Sequence, residues 1–297
     1  MSALPEPVAR AYAVCEALAR SHYENFPVAS RLLPAPMRPH VAAVYAFARV
    51  ADDLADEGPA PAAERLSALT ALQRRLHDAV EAGRDAAAPS DQLDSIVVAL
   101  AHSIQLFDLP MALFDDLISA FGQDTMTTRY DSWSEVFDYC RRSANPVGRL
   151  VLRIAGYRDD ALDRSSDALC TALQLTNFWQ DFGHDWLVGR LYVPKDVLVS
   201  CRARDMELSG VALTDSWMAA LDQCFAVTRK QFDAGRDVCD GVRGRLRYEL
   251  RFTWLGGRRI LDEVERTGAR LLHVRPAIGG RDIPGLLWRA ARWSARP

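Results

Sequence analysis

Tyr45-Ala-Phe-Ala-Arg49-Val-Ala-Asp52-Asp53-Leu-Ala-Asp56-Glu57-Gly58 is the stretch that decides how the chain is read. Nothing in it before Gly58 breaks a helix, and its Ala, Leu, Arg and Glu favour one. On a helix Tyr45, Arg49, Asp52 and Asp56 recur at spacings of 4, 3 and 4 and share a face. That spacing normally belongs to the apolar stripe that meets a core. Here the stripe is an aromatic, a cation and two carboxylates, flanked by Val44, Phe47, Ala48, Ala51 and Leu54. Asp52 and Asp56, one turn apart, repel unless a cation sits between them. A lone pair of this kind reads as a solvated helix end, so the stretch gains meaning only from a counterpart.

The counterpart is Leu173-Gln174-Leu-Thr-Asn177-Phe178-Trp179-Gln180-Asp181-Phe182-Gly183-His184-Asp185. Gln174, Asn177 and Asp181 again occupy one helical face, and Asp185 continues the spacing. Gly183 is expected to bend that helix end and shift Asp185. A buried Gln, Asn and Asp would be costly without partners, so the face must meet protein, water or a ligand. If the two stripes face one another across an α-bundle, Asp52, Asp56, Asp181 and Asp185 form a ring of oxygen ligands. Such donors suit Mg²⁺, which keeps several waters and is held through few carboxylates plus substrate phosphates. The competing reading is two independent acidic surface patches. Beyond the second stripe, Gly189-Arg190-Leu-Tyr192-Val-Pro194 offers a cation and a phenol. Tyr139-Cys-Arg141-Arg142-Ser-Ala-Asn145-Pro146-Val-Gly148-Arg149 adds polar groups among small residues.

Outward from these stretches the periodicity is helical almost throughout. Helices are expected over residues 9–20, 61–82, 91–106, 111–121, 133–142, 146–155, 161–182, 209–234, 245–267 and 286–293. Pro39 suits the first turn of the helix that carries the opening stretch. Loops are expected at 183–194 and 273–284. No alternating run of Val, Ile, Thr or aromatic residues is long enough for a sheet. No long linker or internal repeat interrupts the chain. The reading is one all-α domain spanning 1–297.

Hydrophobic residues make up 49% of the 297 and charged residues 25%, as in an ordinary globular protein. A net charge of -3 without a basic block argues against a nucleic-acid partner. The six cysteines include no CxxC pair and read as reduced core residues of a cytosolic protein. Met-Ser-Ala-Leu-Pro-Glu-Pro lacks the basic-then-apolar order of a secretory leader, and no apolar run reaches the ~20 residues of a membrane span. The tail Ile283-Pro-Gly-Leu286-Leu287-Trp288-Arg289-Ala-Ala-Arg292-Trp293 mixes apolar and basic residues. It reads either as a peripheral membrane contact, at the inner face of the membrane, or as a helix docked on the protein's own core.

Tyr-x-x-x-Arg-x-x-Asp-x-x-x-Asp at 45–56 and Asn-x-x-x-Asp-x-x-x-Asp at 177–185, followed by Gly-Arg-x-Tyr-x-Pro, resemble the squalene and phytoene synthase family. The likeness covers nearly the whole chain in the family's order. His22-Tyr23-Glu24-Asn25-Phe26-Pro27-Val28, Asn177 to Asp181 and Arg142 to Gly148 resemble most its hydroxysqualene synthase branch, in bacterial hopanoid biosynthesis. The resemblance implies a helical isoprenoid-synthase bundle with a central cavity, Mg²⁺ held by both acidic motifs, and an isoprenoid diphosphate substrate. It also implies functional coupling to other hopanoid-pathway enzymes.

Carried onto this sequence, the resemblance makes Asp52, Asp56, Asn177, Asp181 and Asp185 the metal set. Tyr45, Arg49, Tyr139 and Asn177 become candidate catalytic residues, and His22, Tyr23, Phe26, Gln174, Arg190 and Tyr192 candidate substrate-binding residues. Phe26, Phe47, Phe178 and Tyr139 are candidates to face a carbocation. One departure stands out. Family members that join two diphosphates commonly carry a His-Ser-Lys-Ser-Phe-like segment, and here Glu24 stands where the cation is expected. That substitution fits a substrate with a single diphosphate. The implied reaction is ionisation of presqualene diphosphate and capture by water to give hydroxysqualene. Alternatives are head-to-head condensation of two farnesyl diphosphates to presqualene diphosphate, squalene or a carotenoid precursor, and a non-catalytic binding relative.

Overall fold

The apolar spacing of the long helices settles on which faces they pack, and the computed structural model shows the outcome for residues 4–21, 32–56, 58, 60–83 and 89–294. In order the helices are α1 (Glu6–Ser21), α2 (Arg38–Asp56), α3 (Ala62–Ala82), α4 (Gln92–Phe107), α5 (Met111–Asp124), α6 (Trp133–Ser143) and α7 (Asn145–Ile154). They continue as α8 (Asp160–Gln180), α9 (Phe182–Leu187), α10 (Lys195–Cys201), α11 (Asp215–Ala234), α12 (Val238–Gly241), α13 (Gly244–Thr267) and α14 (Ile283–Ala291). Among the described residues there is no strand, only an isolated bridge between Arg129 and Leu191. The all-α expectation holds.

The chain separates into two compact units, Met1–Met126 with Pro146–Asp159, and Thr127–Asn145 with Asp160–Pro297. In the first, α1, α2 and α4 pack on one another, and α3 and α5 complete the set. Ala11, Cys15, Ala43, Ala46, Phe47, Leu72, Leu76, Ile96, Leu100, Phe114 and Leu117 are its buried apolar side chains. Phe47 of α2 meets Phe114 of α5 edge to face at 5.8 Å. This packing holds α2 by its apolar side and leaves its acidic end at the surface of the unit.

In the second unit α8 is the central element, against α6, α11, α12 and α13. Its buried Trp179 donates from Nε1 to Thr228 Oγ1 at 2.8 Å, a bond that satisfies the indole inside the core. Thr171 Oγ1 donates to Asn145 Oδ1 at 3.0 Å, so the Asn of the 142–148 motif serves packing.

The structure corrects several boundaries. The stretch expected as a loop at 183–194 begins with the short helix α9 and is followed by α10. The helix expected from 209 starts at Asp215, where the Thr214 hydroxyl accepts the Trp217 N–H at 3.4 Å and caps it. Residues 205–209 form a 3-10 turn instead. The expected 161–182 helix stops at Gln180, with Asp181 at φ -94°, ψ 6°. The two helices part at Asp181, two residues before Gly183. A side chain at Gly183 would collide with the Leu272 carbonyl, so glycine is required there by the approach of residues 268–272. The Asp185 N–H still bonds the Asp181 carbonyl at 2.9 Å, so helical spacing survives the junction.

Candidate functional site

The first acidic stripe is built on the last turns of α2. Tyr45, Arg49 and Asp52 are half-buried there, and Asp56 is exposed at the helix end. The Arg49 guanidinium lies 2.7 Å from an Asp53 oxygen and 3.6 Å from an Asp52 oxygen. This is the cation that the repulsion between neighbouring carboxylates calls for. Asp53, absent from the sequence-level candidates, is its nearer partner. The end of α2 is fastened from α3. Arg65 donates from Nη1 to the Ala55 carbonyl at 2.6 Å, from Nε to Ala60 O at 2.8 Å, and from Nη2 to Gly58 O. One guanidinium thus satisfies a terminal carbonyl of the helix that presents Asp52 and Asp56.

The second stripe runs along α8 into α9. Gln174, Asn177, Asp181 and Asp185 are all half-buried, whereas Leu175, Phe178, Trp179 and Phe182 are buried. The stripe is therefore inverted as its spacing indicates, its polar groups half-exposed and the apolar ones buried. Asp181 receives a forked ion pair from Arg275, whose Nε and Nη2 reach one carboxylate oxygen each. Next to it, Gln180 Nε2 donates to the Pro276 carbonyl at 2.7 Å. Residues 275–276 thus hold the end of α8 from a segment nearly a hundred positions further on.

Behind the donors stands an aromatic wall. Tyr192 lies face to face with Phe178, ring centres 3.6 Å apart and planes within 5°. Tyr139 of α6 approaches both, at 6.0 and 6.4 Å, and Tyr130 joins Tyr139 and Tyr192 at 5.8 Å each. Tyr192 is brought there by the turn after α9. Gly189 takes φ +83°, a conformation open to glycine, and the Arg190 N–H bonds the Asp185 carbonyl at 2.8 Å. The Leu191 N–H then bonds Thr128 O at 3.0 Å, fixing the strand-like entry to Tyr192.

In the first unit the structure gathers Tyr45, Arg49, Asp52 and Asp56. In the second it gathers Gln174, Asn177, Asp181, Asp185 and Arg190 along one run, with Tyr139 and Tyr192 as its aromatic neighbours. His22, Tyr23 and Phe26 lie outside the described residues. Among the described residues, no three His, Cys, Asp or Glu side chains gather into a ready-made metal cluster. The donor chemistry nevertheless fits Mg²⁺. Each stripe supplies only hard oxygen donors, and Mg²⁺ is usually held by one or two carboxylates with waters and substrate phosphate completing its shell. Sequence reasoning missed Arg275, Asp53 and Tyr130. Arg275 sits in an irregular stretch, where no period marks a face.

A family model described as squalene/phytoene synthase matches residues 19–282. The chain is 34% identical over 229 residues to the hydroxysqualene synthase of Sinorhizobium fredii, covering 76% of this chain and 74% of that one. It is 33% identical over 216 residues to the phytoene synthase of Mycobacterium tuberculosis, covering 72% and 68%. Among solved structures, that of squalene synthase HpnC from Alicyclobacillus acidocaldarius superposes with a TM-score of 0.80 at 38% identity, over 89% of this chain and 97% of that one.

Proposed function

This chain belongs to the squalene/phytoene synthase family, whose members act on isoprenoid diphosphates, and on that premise we propose that it ionises presqualene diphosphate and lets water capture the cation. The products are hydroxysqualene and pyrophosphate. One observation carries the ionisation: α8 presents Asn177, leads directly into Asp181 and holds Phe178 against Tyr192, so oxygen ligands for a metal and a π-rich wall adjoin on one stretch of chain. The similarity to a hydroxysqualene synthase supports the choice of product.

The bond that breaks joins the substrate carbon to the diphosphate oxygen, and its electron pair leaves with pyrophosphate. Bound Mg²⁺ would supply Lewis-acid neutralisation of that departing charge. In the first unit Asp52 and Asp56 on α2 are the groups that would hold such an ion, and in the second Asn177, Asp181 and Asp185 at α8–α9. Arg49 lies beside Asp52 and Arg275 beside Asp181, and the N–H groups of these two and of Arg190 would donate charge-assisted hydrogen bonds to phosphate oxygens. Phe178, Tyr192 and Tyr139 would face the carbocation, with each ring contributing about 1–2 kcal/mol when desolvated. The cation rearranges, water forms the new C–O bond, and its proton passes to solvent.

A second reading is favoured by the comparable identity to a phytoene synthase: condensation of two prenyl diphosphates. Purified protein with Mg²⁺, supplied separately with presqualene diphosphate and with farnesyl diphosphate, distinguishes the two. The proposal expects a triterpene alcohol from the first and no turnover of the second. Presqualene diphosphate or a C30 hydrocarbon formed from farnesyl diphosphate, with or without added NADPH, would establish the alternative. On the leading reading the alcohol is passed to later hopanoid-pathway enzymes, to which this chain would be functionally coupled.

A further inference from the structure

The C-terminal helix α14 is apolar on two sides. One side is used within the fold: Leu286 and Ala290, 3% and 2% exposed, pack on Leu255 of α13 with Phe252, Trp254, Ile278 and Trp293 around them. With about 100° between successive residues, Leu287, Ala291, Pro284 and Trp288 occupy the opposite arc. All four are exposed, Leu287 at 41% and Trp288 at 58%, and Ile283 at the helix start is 45% exposed. Arg292 and Arg289 extend that arc and are exposed as well, as is Arg281 just before the helix. The Arg292 guanidinium lies over the Trp288 ring at 4.1 Å. The nearby acid, Asp282, is engaged elsewhere, 3.4 Å from Arg259 on α13 and accepting the Gly279 N–H at 3.0 Å.

We propose that this outward face of α14 docks on the surface of an anionic lipid bilayer. The face complements such a surface in charge and in side-chain type. An indole with leucine and isoleucine beside it suits the depth of the lipid headgroups, where tryptophan is favoured. Arginines flanking the same arc match anionic phosphates. An arginine stacked on the exposed ring keeps the cation at the depth of the indole, where a phosphate would meet it. Among the described residues no helix is long and apolar enough to cross a membrane, so the contact is one of a helix lying on the surface. The proposal is independent of which diphosphate the protein uses.

Flotation of the full chain with vesicles decides it. With phosphatidylcholine vesicles containing phosphatidylglycerol at low salt, most of the protein is expected to float. With phosphatidylcholine alone or at high salt, recovery falls at least tenfold. Leu287→Asp with Trp288→Asp abolishes flotation, and Arg289→Gln with Arg292→Gln abolishes the preference for anionic lipid. Both variants should melt like the parent, because these side chains are exposed. Absence of flotation with anionic vesicles, or flotation indifferent to both variants, overturns the proposal. So does a dimer in sedimentation equilibrium that Leu287→Asp with Trp288→Asp dissociates, since the face would then belong to a second copy.

Discussion

At the scale of single residues, Asp52 and Asp181 carry the heaviest demand. Replacing both by asparagine keeps size but removes two negative charges, one from each stripe, and turns one accepting oxygen of each into a donor. Pyrophosphate release is expected to fall by at least about 10²–10³-fold, with the circular dichroism spectrum unchanged. Activity surviving that double change would mean that these carboxylates do not hold the metal. Gly183 supports a different prediction. Alanine there must push against the Leu272 carbonyl, so Gly183→Ala should lower stability by about 1–3 kcal/mol in urea titrations. Residues at helical spacing were legible in the sequence because period 3.6 is a local signal. The Arg275–Asp181 pair was not, because nothing local marks a contact made across ninety-four positions. The packing demand for glycine at 183 was not legible for the same reason: the group that excludes a side chain there comes from residues 271–272.

At the scale of elements, α2 shows how a helix end is held ready for chemistry. Arg65 on α3 closes the carbonyls of Ala55, Gly58 and Ala60. Arg65→Ala should therefore loosen the turn bearing Asp56. The expected cost is about 1–2 kcal/mol of stability. The Mg²⁺ concentration at half-maximal activity should also rise several-fold, and Arg65→Lys should restore only part of it, because lysine lacks the planar fork. Among the described residues, the helices α3, α4, α6, α7 and α13 appear within two or three residues of their expected bounds, since caps and proline positions are local. Helix α9 was missed because a six-residue helix is too short to show a period. The start of α11 lies later than expected because Gly210 ends the turn at 205–209 and the Thr214 cap begins the helix.

At the scale of the molecule, a buried polar cluster in the first unit couples stability to pH. The Tyr12 hydroxyl lies 3.0 Å from His40 Nδ1, 2.8 Å from His102 Nδ1 and 2.8 Å from Ser103 Oγ. Burial, with the neighbouring His102 adding to it, pushes the His40 pKa down to about 4, and burial lowers that of His102 also. Unfolding frees both rings to take up protons at their ordinary pKa near 6.5. The contribution of His40 is therefore fully present above pH ~6.5 and is lost as pH falls towards ~4. The loss is of order 2–3 kcal/mol. Unfolding free energies from urea titrations at pH 5 and pH 7.5 should differ by about 2 kcal/mol, and His40→Gln should flatten the difference. A midpoint equal at the two pH values would contradict this account. The all-α architecture was legible from the sequence. The division into two compact units was not, because no linker composition marks residues 126–127, 145–146 or 159–160.

The central claim is that this chain drives a C–O bond to ionise and then admits water to the carbon. The most direct measurement is turnover of presqualene diphosphate with Mg²⁺ in water labelled with heavy oxygen, followed by mass spectrometry of both products. The account predicts one labelled oxygen in hydroxysqualene and none in the pyrophosphate. An unlabelled alcohol with the label in phosphate would mean attack at phosphorus and would contradict it.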